Sequence, residues 1–304
     1  VKKVIITGGS GFIGQHIAAA LLKKNCEVYI LGLHPPKLGK FVRVDLLDKN
    51  LDGGLFSGAD TIIHLAGTNI FGRWSERKKK LIYESRVSGT RNLVLALEKS
   101  TQKPKGFISA SAVGFYGNRG DEELQESSLP GTDFLAKVCV AWEKEARQAE
   151  KIGLRTVQIR TAPVLGHGGF LGKLLPLYKL GLGGPIGSGR QWFPWIHIKD
   201  IADIYVFAME NKQVQGPINA CSPERVTNKD FSDTMAKILR RPAFFRMPKW
   251  ALRLLYNDLA DAICASQKVS PKKLANLGYK FSFPNLQGAL TNIIPRVCGV
   301  STFI

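Results

Sequence analysis

Short apolar runs alternate along this chain with stretches in which apolar positions recur every three or four residues. Buried parallel strands separated by amphipathic helices have this signature. Runs at 4–7, 27–31, 41–45, 61–67 and 154–160 read as strands, and 106–117 as a strand running out into a loop. Helices are predicted through Ala18, Ala19, Leu21 and Leu22, across 85–93, and across 133–143. Strand-helix alternation at this spacing predicts an α/β fold whose parallel sheet is covered on both faces. Ligands of such sheets bind beyond the carboxyl ends of the strands, which gathers Gly8, Ala66 and Ser111 around one crevice.

The second half is more helical. A helix carrying Leu174, Leu175 and Leu177 precedes a glycine-rich loop at 181–189, and another helix runs through Ile201, Ile204 and Val206. Residues 226–231 open a helix capped by Thr227 or Asn228. The stretch from 248 to about Gln267 reads as helical, and a further short helix starts in 270–274 and ends near Gly278. The expected division is a nucleotide-binding part over 1–165, to which 195–210 return, and a smaller substrate part over 166–304 with an extra module at about 247–295.

The chemistry begins where the first strand meets the first helix. Thr7-Gly8-Gly9-Ser10-Gly11-Phe12-Ile13-Gly14 places glycines where a dinucleotide site needs a tight turn, close backbone approach to a pyrophosphate, and close helix-sheet packing. Backbone N–H groups at Phe12 and Ile13, at the positive end of the helix dipole, suit a diphosphate. An NAD site wants a carboxylate about 20 residues further on, yet none occurs between Glu27 and Asp45. His34, Lys37 and Lys40 are the nearby cationic candidates, so NADP(H) is expected over NAD(H). Asp45 either accepts from the adenine amino group or caps a turn. Leu65-Ala66-Gly67 ends the fourth strand in small residues against which a ribose can lie, and His64 reads as a packed strand-end residue.

Composition narrows this picture. The 304 residues are 44% hydrophobic with a net charge of +19. The cations fall in short scattered clusters without interleaved aromatics, which suits a solvated basic surface attractive to an anionic small molecule; a nucleic-acid partner is not expected. Five scattered cysteines without CxxC spacing suit a reducing compartment and argue against a zinc site. No apolar run is long enough to span a bilayer and the first strand begins at Val4, so a cytoplasmic protein without a membrane partner is expected. Self-association is left open.

The glycine turn, His64-Leu65-Ala66-Gly67, Gly89-Thr90-x-Asn92-Leu93, Ser109 to Gly117 and Trp195-Ile196-His197-Ile198-x-Asp200 together resemble the extended short-chain dehydrogenase/reductase superfamily. Leu180 to His197 and Gly278 to Pro284 resemble its epimerase-like branch of unassigned reaction, which carries a short extra C-terminal domain. The resemblance implies a Rossmann-type doubly wound sheet, a nicotinamide coenzyme, and a serine with a tyrosine-lysine pair four residues apart. Such a pair lies on one helical face, where the ammonium lowers the phenol's pKa. Ser111 matches the serine if one residue is inserted before Tyr116. Leu135 and Cys139, however, occupy the tyrosine and lysine slots, and Arg86 replaces a common asparagine. Tyr116, Lys137 and Cys139 are the alternative proton carriers, although Cys139 also fits an apolar helix face.

Residues 181–189, followed by Arg190, Gln191, Trp192 and Phe193, read either as a cover over an anionic or planar ligand or as a structural crossover with packed tryptophans. Arg190, Trp192 and His197 are the candidate substrate contacts. Two functions remain in view: an NADP(H)-dependent epimerase or oxidoreductase acting on a polar, nucleotide-sugar-like small molecule, and a catalytically silent NADP(H)-binding regulator or assembly factor.

Overall fold

A computed structural model describes residues 1–294. Strand β1 (Lys3–Thr7) leads through helix α1 (Phe12–Lys23) to β2 (Glu27–Gly32), followed by β3 (Lys40–Arg43) and β4 (Thr61–His64). Helix α2 (Glu76–Glu98) and β5 (Gly106–Ala112) come next, then a short β6 (Glu123–Leu124), α3 (Phe134–Arg147) and β7 (Arg155–Thr161). After β8 (Val164–Leu165) come α4 (Gly169–Lys179), β9 (Ile196–His197), α5 (Ile198–Glu210) and β10 (Gly216–Ala220). The remaining elements are α6 (Asn228–Leu239), α7 (Lys249–Tyr256), α8 (Leu259–Ile263), β11 (Lys268–Val269), α9 (Lys272–Asn276) and α10 (Leu286–Ile293).

Seven parallel strands form the main sheet in the order β10-β7-β5-β4-β1-β2-β3. Chain order reverses at β1, whose neighbours are β2 and β4, and this switch point opens the ligand crevice. Ile17, Ala18 and Leu21 of α1 pack with Ile201, Ile204 and Tyr205 of α5 against one sheet face. Leu93 and Leu97 of α2 and Ala146 of α3 cover the other. A separate core joins Trp195, just before β9, with Leu171, Phe231, Met235, Leu286 and Leu290 of α4, α6 and α10.

Two elements differ from the expectation. The edge strand β10 was not signalled by its sequence, because Gly216, Pro217 and Asn219 all weaken strand character; a sheet edge is where proline is tolerated. The helix expected from 248 to 267 breaks at Asn257, which takes a left-handed φ of 53°, and the chain then ends the short α8 and pairs β11 with β6. The part of the expected C-terminal module beyond 294 lies outside the described residues.

Candidate active site

β1 delivers the chain to a turn in which Gly8, Gly9 and Gly14 have no room for a side chain. Gly8 has φ +73°, and a Cβ there would stand 2.8 Å from the backbone of Ala66. A Cβ on Gly14 would stand 2.6 Å from Gly9 Cα. Gly11 N donates to Gly8 O at 3.1 Å, which closes the turn. α1 then starts with no side-chain cap and no acidic residue in its first turn. Its first N–H groups are therefore available to an anion, and these residues fit a dinucleotide diphosphate.

Beneath the turn, His64 bolts two strands to α2. Thr90 Oγ1 donates to the carbonyl of Arg86, so it accepts from His64 Nε2 at 2.8 Å. Nδ1 then accepts from Thr7 Oγ1 at 2.6 Å. Burial, followed by the nearby Arg86 charge, lowers the pKa of this ring to about 3, so it stays neutral and does structural work.

A crevice of about 300 Å³ runs from the turn to the far end of β5. Gly8, Gly11, Phe12, Ile13, Gly14, Leu65, Arg86, Ser111 and Cys139 line it, with Ile70, Leu135, Val138, Trp142 and Tyr205. Arg86 is the one charged side chain in this lining among the described residues. Its Nη1 donates to the carbonyls of Thr68 and Ile82, and its guanidinium lies 5.3 Å from the Trp142 ring centre. Ala66 and Gly67 sit just behind the lining; a Cβ on Gly67 would meet Arg86 Cζ at 3.1 Å.

The reaction end is largely apolar. Ser111 Oγ donates to Glu143 Oε1 at 2.7 Å, and Glu143 is held by Arg160 through bonds of 2.8 and 2.9 Å. Both charges are buried, so each satisfies the other where water cannot. The serine proton is thereby directed inward and its lone pairs are left toward the crevice.

The expected proton carriers fail for distinct reasons. Tyr116 is fully buried. Its hydroxyl faces Asn219 Oδ1 at 2.6 Å and accepts from Arg160 Nη1 at 3.0 Å, away from the crevice lining. Burial pushes it up to about 12. Cys139 does line the crevice, but burial, then the Glu143 charge, pushes its thiol up to about 12, so it packs as a small hydrophobe. Lys137 is exposed, on the opposite side of α3 from the lining residues Leu135, Val138 and Cys139.

The three expected substrate contacts do not line this crevice. Arg190 is exposed on its loop, its backbone N donating to Ser188 Oγ. Trp192 donates from Nε1 to Asp121 Oδ1 at 2.6 Å and carries Lys268 over its ring. His197 caps α5, with Nδ1 accepting from Lys199 N at 3.1 Å, and stacks on Phe283 at 3.8 Å. Burial lowers the pKa of His197 to about 4. The Trp192 and His197 side chains thus join loops and helices.

His34 and Lys37 stand exposed in the loop after β2. Asp45 is also exposed and accepts from Leu47 N at 2.9 Å, forming a local turn. The sequence reading overlooked Arg43. It is exposed at the carboxyl end of β3, in register with Gly32, whose strand bonds the turn through Gly8 N and Leu31 O. Only the register shows this, since eleven residues of chain separate the two positions.

Residues 4–221 match the model of the NAD dependent epimerase/dehydratase family, and 247–293 match a domain of unknown function (DUF1731). The epimerase family protein YfhF of Bacillus subtilis is 36% identical, across 96% of this chain and 97% of that one. The human epimerase family protein SDR39U1 is 35% identical, across 96% and 99%. A crystal structure of the human protein (isoform 2) with NADPH aligns with TM-score 0.88 at 34% identity, covering 96% of this chain and 98% of that one. A Thermus thermophilus UDP-glucose 4-epimerase in complex with NAD, 21% identical, shares the fold with TM-score 0.76 over 96% and 97%. A matching model over most of the chain, and relatives this similar over nearly its whole length, place the protein in the NAD dependent epimerase/dehydratase family.

Proposed function

We propose that the chain binds NADP(H) across the switch point and uses it on a polar, anionic, nucleotide-sugar-like small molecule. The observation that carries this is the tight glycine turn feeding an uncapped helix start, at one end of a crevice whose other end holds Ser111. NADPH in the human relative's structure supports the choice of coenzyme. Arg43, His34 and Lys37 supply cations at the adenosine end, where a 2′-phosphate would lie, and no carboxylate in the loop between β2 and β3 opposes them.

The coenzyme supplies a hydride donor or acceptor; the residues supply position and environment. Ser111 accepts from a substrate hydroxyl because its own proton is given to Glu143. Arg86 attracts the substrate's negative charge in a setting of low dielectric. Leu135, Val138 and Trp142 give the reacting atoms an apolar wall on one side. Among the described residues no histidine or carboxylate lines the crevice, so the proton lost or gained at the substrate hydroxyl passes by way of Ser111 to or from solvent.

That same lack of a proton carrier favours a second reading, a coenzyme-binding regulator without turnover. Calorimetric titration with NADPH and NADH, followed by hydride-transfer assays on carbonyls and nucleotide sugars, separates the two. Turnover lost in Ser111→Ala with NADPH affinity retained establishes the enzyme. Tight NADPH binding with no turnover across the panel establishes the regulator. No binding of either nucleotide overturns both.

A further inference from the structure

Nine of the large hydrophobic residues exposed in the described structure lie in two stretches, 177–182 and 244–255. Phe244 is 72% exposed, Trp250 68%, Leu254 67% and Leu180 72%. The stretches are one surface. A Cβ on Gly184 would stand 2.3 Å from Phe245 O, and one on Gly181 would touch the ring of Pro242. Gly187 N donates to Met247 O and Met247 N donates to Pro185 O. α7 follows directly, anchored through buried Leu252 while Trp250 and Leu254, one turn apart, face outward.

The charge around this surface is predominantly positive. From 234 to 257 the chain carries Lys237, Arg240, Arg241, Arg246, Lys249 and Arg253 and no carboxylate, and 151–199 contain no carboxylate either. Lys249 and Arg253 share Asp261. Arg240, Arg241 and Arg246 form no ion pair among the described residues and are exposed.

We propose that this face docks on the surface of an anionic phospholipid bilayer. Projecting Trp, Phe and Leu side chains enter the headgroup-acyl boundary, while arginines and lysines meet phosphates. A second copy of the chain is disfavoured, because a two-fold contact through this face would bring its cations against each other. The side chains project from two loops and a helix, an arrangement a deformable bilayer accepts without a complementary pocket. No helix among the described residues is long and apolar enough to cross a membrane, and the proposed contact is peripheral.

Docking would bring the crevice near the bilayer. Arg73 Nη1 donates to Leu254 O, Trp74 N donates to Tyr256 O, and Trp74 Nε1 donates to Ile70 O, whose residue lines the crevice. The docking proposal stands without the coenzyme reading, because it draws on a different surface.

The test is co-sedimentation of the full chain with phosphatidylcholine vesicles, with and without phosphatidylglycerol. Wild type should pellet only with the anionic vesicles. Trp250→Glu/Leu254→Glu and, separately, Phe244→Ser should each lower the partition constant ~10-fold or more with unchanged melting temperature. Arg246→Glu should weaken binding and its salt dependence. Absence of pelleting with anionic vesicles overturns the proposal. So does apolar-variant binding equal to wild type, which would mean Coulombic adsorption alone. A wild-type dimer that Trp250→Glu/Leu254→Glu converts to monomer, with vesicles ignored, would assign the face to a second copy.

Discussion

His64 shows how a titratable residue at the centre of a site can be excluded from its chemistry. The unfolded ring takes up a proton near 6.5 and the folded one only near about 3. Between those values the unfolded chain binds more protons, so stability falls as pH is lowered, by up to about 1.4 kcal/mol per pH unit from this residue. His197, lowered to about 4, adds to the slope in the upper part of that window. Melting curves should therefore shift downward steadily on acidification below about 6.5. His64→Asn should be less stable at neutral pH yet show a shallower slope, and an unchanged slope would mean the ring is protonated when folded. Arg43 offers a prediction on binding. A charge-assisted contact to a 2′-phosphate is worth about 1.5–3 kcal/mol, so Arg43→Glu should reduce the preference for NADPH over NADH by about tenfold or more, as read by titration with both nucleotides. His34→Ala and Lys37→Ala, in a loop with no fixed partner, should each do less. The glycine turn was legible in the sequence because sterics fix its residue types. Arg43 was not, because its position depends on which strands become neighbours.

The helices and strands differ in how much of their placement is local. α1, α3 and the inner strands carry their periods openly, and Thr227 caps α6 as its sequence suggests, with Asp230 completing the box. His197 was expected as a substrate contact, yet it and Asp200 serve to join elements. Asp200 is fully buried at the first turn of α5, where it accepts from Ser282 N at 2.7 Å and Phe283 N at 3.0 Å and meets the Tyr279 hydroxyl. These bonds tie the strap before α10 to a helix of the nucleotide-binding core, over eighty residues away in sequence. Asp200→Ala would leave these donors without their acceptor and should cost about 2 kcal/mol. Denaturant unfolding should read that loss as a lower midpoint with an unchanged slope. Asp200→Asn should recover part of it, whereas equal stability of Ala and wild type would show the strap is held elsewhere. No local pattern discloses such a role, since the partner donors are backbone N–H groups of a distant loop.

At the level of the whole molecule, the C-terminal module is interleaved with the nucleotide-binding core. Val269 and Leu274 belong to the same buried cluster as Ile6 and Ile159. Gln267 Nε2 donates to the carbonyls of Val113 and Gly117, which flank the turn holding Tyr116. Asn219, on the sheet's edge strand, accepts from Tyr116 while its amide donates to Leu124 and Ser270 carbonyls. Sheet, tyrosine turn and module are therefore joined in one buried polar network, and removing Asn219 takes a partner from each of them. Such connectivity predicts a single calorimetric transition, with van't Hoff and calorimetric enthalpies equal. NADPH should raise that one transition as a unit, following its concentration relative to the dissociation constant. Asn219→Ala should lower it by several degrees without splitting it, because tyrosine hydroxyl and module lose their shared partner together. Two resolved transitions, only one of them moved by NADPH, would mean that the module folds on its own and merely rests against the core.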